Sequence, residues 1–287
     1  MSITGIQRIL AVHGAPRSGT SWLGQLFNSS EHVAYRYQPM FSHAFKSRLN
    51  AHSSTSEISA FFNELLCTED DFVLQRGSAS LAGYDLVFRK EAITHLVYKE
   101  VRYHELIAHI LDLEPTFAAI GLIRNPCAVI HSWINAPREF DHTWSLGGEW
   151  RHAPHKNGSH PENWYGFERW KELALLFHRL QERHPSRFHI IRYEDLAAAP
   201  EQTLRLLFNL HDLPWTAQTD EFLRQTRSRD DGSVYGVFRN ASTLVKDWRG
   251  QLDENIAATI HDELEGGPLS RYLLPHSSEI MSILEKQ

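Results

Sequence analysis

Eight consecutive residues near the start of the chain could bind an anion. Gly14 and Gly19 have the G-x-x-x-x-G spacing of a phosphate-binding P-loop, but Thr20 stands where the Walker A motif of ATP- and GTP-binding proteins needs lysine. The backbone amides of such a turn still attract phosphate. The turn also offers one cation and three hydroxyls, from Arg17, Ser18, Thr20 and Ser21. We therefore predict an anion site; the alternative is a plain turn with a Ser/Thr helix cap.

The residues on either side of this turn predict the elements that position it. An apolar run at 9–12 precedes the turn and is typical of a buried strand, and residues 20–27 have the pattern of a helix. Strand, turn and helix thus follow one another in the order that a phosphate-binding turn requires. A helix placed there would direct the positive end of its dipole at the anion.

Further apolar runs predict a parallel sheet. They occur at 95–98, 117–123 and 188–191 and alternate with helical patterns at 56–66, 103–111, 127–134, 164–182, 200–210 and 254–264. Alternation of this kind is typical of a three-layer α/β fold, with a central parallel sheet flanked by helices and a P-loop-like nucleotide-binding turn. We expect residues 1–287 to form one domain, with a long insertion at 135–163 that serves as a substrate lid.

Composition limits the class of protein and the kind of partner. The 287 residues are 42% hydrophobic and carry a net charge of −6, which indicates a folded protein that does not coat nucleic acid. No stretch has the roughly 20 apolar residues of a membrane span, and the first residues do not resemble a signal peptide. Cys67 and Cys127 are too few for a disulfide framework. We expect a cytoplasmic protein in which any anion is held by a local site.

The turn also resembles a known family. Residues Pro16 to Leu23 read P-R-S-G-T-S-W-L, which is similar to the P-[KR]-S-G-T-[TS]-W-L loop of sulfotransferases that use 3'-phosphoadenosine 5'-phosphosulfate (PAPS). The resemblance implies that Arg17, Ser18, Gly19, Thr20 and Ser21 bind the 5'-phosphosulfate of PAPS. It also implies that Trp22 lies against the adenine; without the resemblance, Trp22 would be read as a core aromatic residue.

A second segment resembles the same family. Arg124-Asn125-Pro126 follows a predicted strand, and Ser132 lies eight residues after Arg124, as in the R-[DN]-P segment of sulfotransferases. The resemblance implies that Arg124 and Ser132 bind the 3'-phosphate of PAPS. An arginine fork matches a phosphate dianion in charge and shape, and Pro126 suits the first turn of a helix.

Two weaker segments extend the resemblance. Residues 192–196, R-Y-E-D-L, resemble a family segment that would place Tyr193 near the adenine, and residues 246–252 resemble a segment that closes over the nucleotide. The R-K-G of the cytosolic subfamily is absent upstream of residue 246. We therefore expect Arg239, or alternatively Asn240 or Ser242, to supply the missing phosphate contacts.

The resemblance implies sulfuryl transfer from PAPS, without a metal, to a hydroxyl or amine of a small-molecule, carbohydrate or lipid acceptor. Arg17 and Lys99 are the candidate catalytic cations. The family takes its general base from positions that hold Val101 and Gln38 here, neither of which can accept a proton. We expect Glu100 or His43 to act as the base, with His104 as a further candidate.

Three alternatives stay open from the sequence. A P-loop nucleotide kinase or NTPase would need Mg²⁺ with ATP or GTP, and the missing lysine disfavours it. A nucleotide-binding module without catalysis would explain the missing base. The insertion contains histidines, Asp141, Trp144 and Trp150, but its spacing is not that of helical metal ligands, so we favour stacking on an acceptor.

Overall fold

The computed structural model describes residues 5–77, 86–229 and 248–274. Its centre is a parallel sheet of five strands in the order β2-β3-β1-β4-β5. The strands are β1 (Arg8–His13), β2 (Val33–Tyr37), β3 (His95–Glu100), β4 (Phe117–Ile123) and β5 (Phe188–Arg192). β1 pairs with both β3 and β4, so the turn that follows β1 lies at the middle of the carboxyl edge of the sheet.

Helices cover both faces of this sheet. In chain order they are α1 (Thr20–Asn28), α2 (Thr55–Leu66), α3 (Asp71–Leu74), α4 (Leu106–Leu113), α5 (Pro126–Ile134), α6 (Leu146–Glu149), α7 (Pro154–Asn157), α8 (Gly166–Arg183), α9 (Tyr193–Ala198), α10 (Pro200–Leu210), α11 (Ala217–Ser228) and α12 (Glu254–Leu264). Two single-turn 3₁₀ helices, Pro39–Phe41 and Ser270–Leu273, complete the described elements. The predicted three-layer α/β fold is confirmed.

Alternate residues of the strands pack into two apolar clusters, one on each face. In β1, Leu10 and Val12 pack with α1, α10 and α11, whereas Ile9 and Ala11 pack with α2, α4, α5, α8 and α12. Successive strand residues point to opposite faces of a sheet. A central strand covered on both faces must therefore be apolar throughout, which is why the sequence of β1 is a continuous apolar run.

The strand β2 is the element that the apolar runs do not predict. Its sequence V-A-Y-R-Y contains Arg36, which is nevertheless buried. The Arg36 guanidinium donates from Nε to the Leu65 carbonyl at 2.7 Å and from Nη1 to the Tyr35 carbonyl at 2.8 Å. A buried cation is tolerated because backbone carbonyls at the end of α2 accept its hydrogen bonds.

The expected insertion at 135–163 is partly helical. It contains α6 and α7, and Trp150 and Ala153 are buried in the apolar cluster on the α8 face.

Within the described ranges, no helix is long and apolar enough to cross a membrane. The same residues contain no group of three or more His, Cys, Asp or Glu side chains placed to hold a metal ion.

Candidate functional site

The predicted site residues gather where the strands end. The anion turn follows β1, Lys99 and Glu100 close β3, Arg124 follows β4 and Tyr193 follows β5. All five strands are parallel, so these ends share one edge of the sheet. Ligands of open parallel sheets bind in the crevice outside this edge. The fold therefore brings residues from four separate segments into one site.

The backbone of the turn has a conformation that its glycines make possible. Gly19 has φ +93° and Arg17 has φ +72°, both in the left-handed region. A Cβ at Gly14 would lie 2.7 Å from the Leu122 carbonyl oxygen, and one at Gly19 would lie 2.5 Å from Cε2 of Tyr193. The turn is thus packed against the strand β4 and against the residue that follows β5, and only glycine fits at either position.

Buried polar atoms without partners mark the site as one that fits an anion. Oγ of Ser18 and Nε of Arg124 are both buried, and neither has a hydrogen-bond partner in the described part of the chain. Most buried polar groups are paired, so each exception needs an explanation. One donor from the turn and one from the end of β4 fit an anionic ligand that would bind between them.

Arg17 connects the two predicted phosphate-binding segments. The Arg17 side chain donates from Nε to Oγ of Ser132 on α5 at 3.2 Å. The Arg17 backbone carbonyl oxygen accepts a hydrogen bond from Nη1 of Arg124 at 2.9 Å. Nη1 of Arg17 also pairs with Oε1 of Glu139 at 3.3 Å. The structure therefore brings Arg17, Arg124 and Ser132 together and adds an acidic residue, Glu139, that the sequence analysis does not name.

Two aromatic residues complete the described part of the predicted nucleotide site. The Arg124 guanidinium lies 4.6 Å from the centre of the Tyr193 ring. The Trp22 and Tyr193 rings meet edge to face with centroids 6.2 Å apart. Trp22 also packs in the apolar cluster on the α1 face, so it has the core role that its residue type alone suggests. Of the remaining predicted residues, Arg239, Asn240 and Ser242 lie outside the described residues.

Lys99 is a buried cation beside Arg17. It is 3% exposed, and its Nζ lies 4.6 Å from the centre of the Tyr37 ring on β2. Burial lowers the pKa of Lys99 to about 7, although the neighbouring Glu100 acts in the opposite direction. An ammonium so poorly hydrated would interact strongly with an anion brought next to it.

Glu100 lies on the opposite face of the sheet from Lys99, because successive residues of a strand alternate. Its Oε1 accepts a hydrogen bond from the Met40 backbone amide at 2.8 Å, and burial raises its pKa to about 8. His13, its register partner on β1, forms a 2.9 Å Nδ1–Nδ1 hydrogen bond with His104. Burial lowers the pKa of His13 to about 3, so this pair is neutral.

His43 is exposed on the segment that follows the first 3₁₀ helix. No described contact links its ring to Arg17 or Lys99.

Glu139 is the site residue that sequence reasoning missed. It lies in the stretch after α5, where no periodicity or motif singles it out, and its partner Arg17 is 122 positions earlier in the chain.

The arrangement supports a defined chemistry. Three basic side chains, Arg17, Lys99 and Arg124, lie at or beside the turn, where the Ser18 hydroxyl and Arg124 Nε are buried without partners in the described residues. Such a site can hold a doubly phosphorylated or phosphosulfated nucleotide and stabilise negative charge that develops during group transfer.

Comparisons with known proteins agree with this chemistry. Two curated relatives are carbohydrate sulfotransferase 3 of human, 24% identical over 100% of this chain and 72% of the relative, and that of mouse, 23% identical over 99% and 73%. A solved mouse sulfotransferase complexed with adenosine 3',5'-bisphosphate (PAP) superposes with a TM-score of 0.57 at 12% identity, covering 96% of this chain and 92% of the other. Retinol dehydratase, in complex with androsterone and the inactive cofactor PAP, gives 0.51 at 14% identity, covering 92% and 82%.

A sequence profile of the sulfotransferase family matches residues 10–217, which include the turn, Lys99, Arg124, Ser132 and Tyr193. This match confirms the resemblance that the motifs carry. The chain belongs to the sulfotransferase family.

Proposed function

We propose that the protein transfers a sulfuryl group from PAPS to a hydroxyl group of a carbohydrate. One observation carries the choice of donor: Arg17 and Arg124 meet at a glycine turn where the buried Ser18 hydroxyl and Arg124 Nε lack partners in the described residues. The donor carries anions at both its 5' and its 3' position, which matches two arginine-containing segments. The two solved structures described above are complexed with PAP, the nucleotide that remains when PAPS has given up its sulfuryl group. This supports PAPS as the donor.

Each part of the donor has proposed protein partners. The turn residues Ser18, Gly19, Thr20 and Ser21, with Arg17, would hold the 5'-phosphosulfate. Arg124 and Ser132 would hold the 3'-phosphate, since the arginine fork and the hydroxyl in the last turn of α5 both contact Arg17. Trp22 and Tyr193 would line the adenine. Arg239, or alternatively Asn240 or Ser242, would supply a further phosphate contact.

For this reaction, the protein must place cations beside the sulfuryl group. When PAPS is bound it supplies the sulfuryl group and a phosphate leaving group. Arg17 and protonated Lys99 would stabilise the negative charge that grows on the leaving phosphate. Both are fixed before the donor arrives, Arg17 by Ser132 and Lys99 by its position over Tyr37, so little reorganisation is needed.

The choice of a carbohydrate acceptor has two supports. The human and mouse relatives described above are carbohydrate sulfotransferases. In the segment 135–163, the Trp144 and His155 rings are stacked with centroids 4.8 Å apart, and His155 is hydrogen-bonded to the buried Glu149. The flat faces of aromatic rings are suited to pack against sugars. We propose that this segment is the acceptor lid of a single domain spanning residues 1–287.

The residue that removes the acceptor proton is a separate question. Glu100 and His43 are the candidates that the sequence suggests. The variants Glu100→Gln and His43→Ala test them.

We also propose a cytoplasmic location. The thiols of Cys67 and Cys127 are both free, which fits a reducing compartment.

Calorimetric titration with PAP, ATP plus Mg²⁺ and GTP plus Mg²⁺ tests the donor. We expect tight binding of PAP alone. Transfer of radiolabelled sulfate from PAPS to methyl glycosides, phenols and hydroxylated lipids then tests the reaction and the acceptor class. Binding of ATP without PAP would refute the proposed donor. PAP binding without any transfer would identify a nucleotide-binding module that lacks catalysis.

A further inference from the structure

Glu139 comes from the segment after α5, yet its carboxylate lies among the cations of the site. Oε1 pairs with Nη1 of Arg17 at 3.3 Å, while Oε2 is buried and has no hydrogen-bond partner in the described ranges. Its backbone is fixed by Nε1 of Trp133, which donates to the Glu139 carbonyl at 3.3 Å, and by the Ala136 carbonyl at 2.8 Å. The carboxylate is therefore placed at the site by the end of α5.

The groups around Glu139 come from several elements. Charged or titratable side chains interact with it from the turn after β1, from β2, from β3, from α7 and from the residue before α8: Arg17, Tyr37, Lys99, Lys156 and Tyr165. Three of the five are cations. Cations from three separate elements, Arg17, Lys99 and Lys156, thus surround a carboxylate that can accept a proton when it is ionised.

An unpartnered carboxylate oxygen in such a place calls for a donor from a ligand. Leaving a buried acceptor unpaired destabilises the protein, and a hydroxyl group of a ligand would supply the missing hydrogen bond. Arg17 would hold the sulfuryl group of PAPS under the proposed function. A hydroxyl that bonds to Oε2 of Glu139 would then lie next to the group that it must attack.

We infer that Glu139 is the general base that takes the proton from the acceptor hydroxyl. This inference rests on the proposed function. As the acceptor oxygen forms its bond to sulfur, its proton passes to the Glu139 carboxylate. The bond between sulfur and the 5'-phosphate oxygen breaks, and that oxygen keeps the electron pair. The products are a sulfate ester, PAP and protonated Glu139. The side chain is 21% exposed, so it can return the proton to solvent.

The geometry separates Glu139 from Glu100. The Glu100 carboxylate accepts from the Met40 backbone and lies on the face of the sheet opposite Lys99. The cations that act on Glu100 are Lys99 and Arg102, whereas Arg17 donates directly to Glu139. Glu139, and not Glu100, is thus shown in contact with Arg17 of the turn that would bind the 5'-phosphosulfate.

The test compares four variants with the wild type. Glu139→Gln keeps the shape of the side chain and removes the base, and Glu139→Ala leaves room for an added carboxylate. Glu201→Gln is the control, because Glu201 lies on α10, outside the proposed site and lid, and pairs with Arg205 instead of Arg17. Glu100→Gln tests the competing base. For each, thermal unfolding, PAP affinity by calorimetry, and kcat with the best glycoside are measured across pH.

We expect Glu139→Gln to lower kcat by about 100-fold or more, the contribution of a general base, without weakening PAP binding. The acidic limb of the kcat profile should disappear in this variant. Formate should restore part of the activity of Glu139→Ala, which a merely structural role would not allow. Glu201→Gln should behave as the wild type.

Two results would overturn the inference. Wild-type kcat in Glu139→Gln, with tighter PAP binding, would show that Glu139 only neutralises Arg17. A large loss in Glu100→Gln with none in Glu139→Gln would place the base on β3. A wild-type protein that fails to bind PAP would refute the proposed function instead, so the two failures are distinguishable.

Discussion

Gly19 and Tyr193 are in contact so close that no side chain fits between them. A Cβ at Gly19 would lie 2.5 Å from Cε2 of Tyr193, and Gly19 itself has φ +93°. The Tyr193 ring also contacts Arg124, whose guanidinium lies 4.6 Å from the ring centre. Tyr193 therefore sets the distance between the turn after β1 and the arginine after β4, the two cation-bearing segments of the site.

Replacing Gly19 should disturb both stability and donor binding. In Gly19→Ala, the left-handed conformation costs about 1–2 kcal/mol, and Tyr193 must also move. We expect a lower midpoint of denaturation and PAP binding weaker by about tenfold, which corresponds to roughly 1.4 kcal/mol. Denaturant unfolding and calorimetry measure the two effects.

The control is Gly266→Ala. Gly266 also has a positive φ, +68°, but nothing lies within 4 Å of a Cβ placed there. This variant should show the conformational cost alone and leave PAP binding unchanged. If the two variants bind PAP equally well, the contact with Tyr193 does not shape the anion site.

Arg124→Ala tests the 3'-phosphate site. Loss of a charge-assisted hydrogen bond should weaken PAP binding by about 1–3 kcal/mol. Arg187→Ala is the control, because Arg187 donates to the Glu114 carbonyl just before β4 and lies at the opposite edge of the sheet from the site. Unchanged PAP affinity in Arg124→Ala, measured by calorimetry, would show that the 3'-phosphate binds elsewhere.

Much of the site could be predicted because each of its parts is local in sequence. The turn of residues 14–21 lies between a buried strand and a helix, and the strand β4 ends directly at Arg124. A continuous motif carries its own structural context, so a parallel sheet is enough to bring such motifs together at one edge. The same reasoning explains why α10 and α12 begin and end as their periodicity predicts.

The parts that could not be predicted depend on distant contacts. The pair Glu139–Arg17 spans 122 positions, and the pair His13–His104 spans 91. Strand β2 contains Arg36, whose burial depends on carbonyls at the end of α2. In each case, the partner that makes a polar residue acceptable inside the protein is supplied by tertiary structure, which residue type and spacing do not specify.

Donor capture should weaken at alkaline pH. Burial lowers the pKa of Lys99 to about 7, so the free enzyme loses this charge as the pH rises through neutrality. We expect kcat/KM for PAPS to fall by about tenfold for each unit of pH above this value, down to a plateau. In Lys99→Arg the decline should vanish, because arginine keeps its proton.

Glu100 titrates in the same range, with a pKa raised to about 8 by burial. If Glu100 were the base instead of Glu139, its deprotonation would raise activity with pH, which is the opposite of the effect expected from Lys99. Stopped-flow or initial-rate measurements of kcat/KM in wild type, Lys99→Arg and Glu100→Gln distinguish the two. A decline that persists in Lys99→Arg would exclude Lys99 as its source.

Acid stability should depend on His211, a residue remote from the proposed chemistry. Burial lowers its pKa from 6.5 to about 3, and His189, Arg8 and His95 act in the same direction. His189 is the nearest of these rings, 5.2 Å away, and His95 is hydrogen-bonded to the His211 carbonyl. Between pH 6.5 and about 3, the unfolded chain binds a proton at His211 that the folded protein does not.

Folding stability therefore falls as the pH decreases through this window, by at most about 1.4 kcal/mol per pH unit from this one side chain. His211→Gln removes the titrating group and should flatten the dependence of the unfolding free energy on pH by that amount. His52→Gln, at an exposed histidine, should not alter the slope. Urea denaturation at several pH values between 7 and 4 measures the slopes. Parallel curves for wild type and His211→Gln would mean that other buried groups dominate acid unfolding.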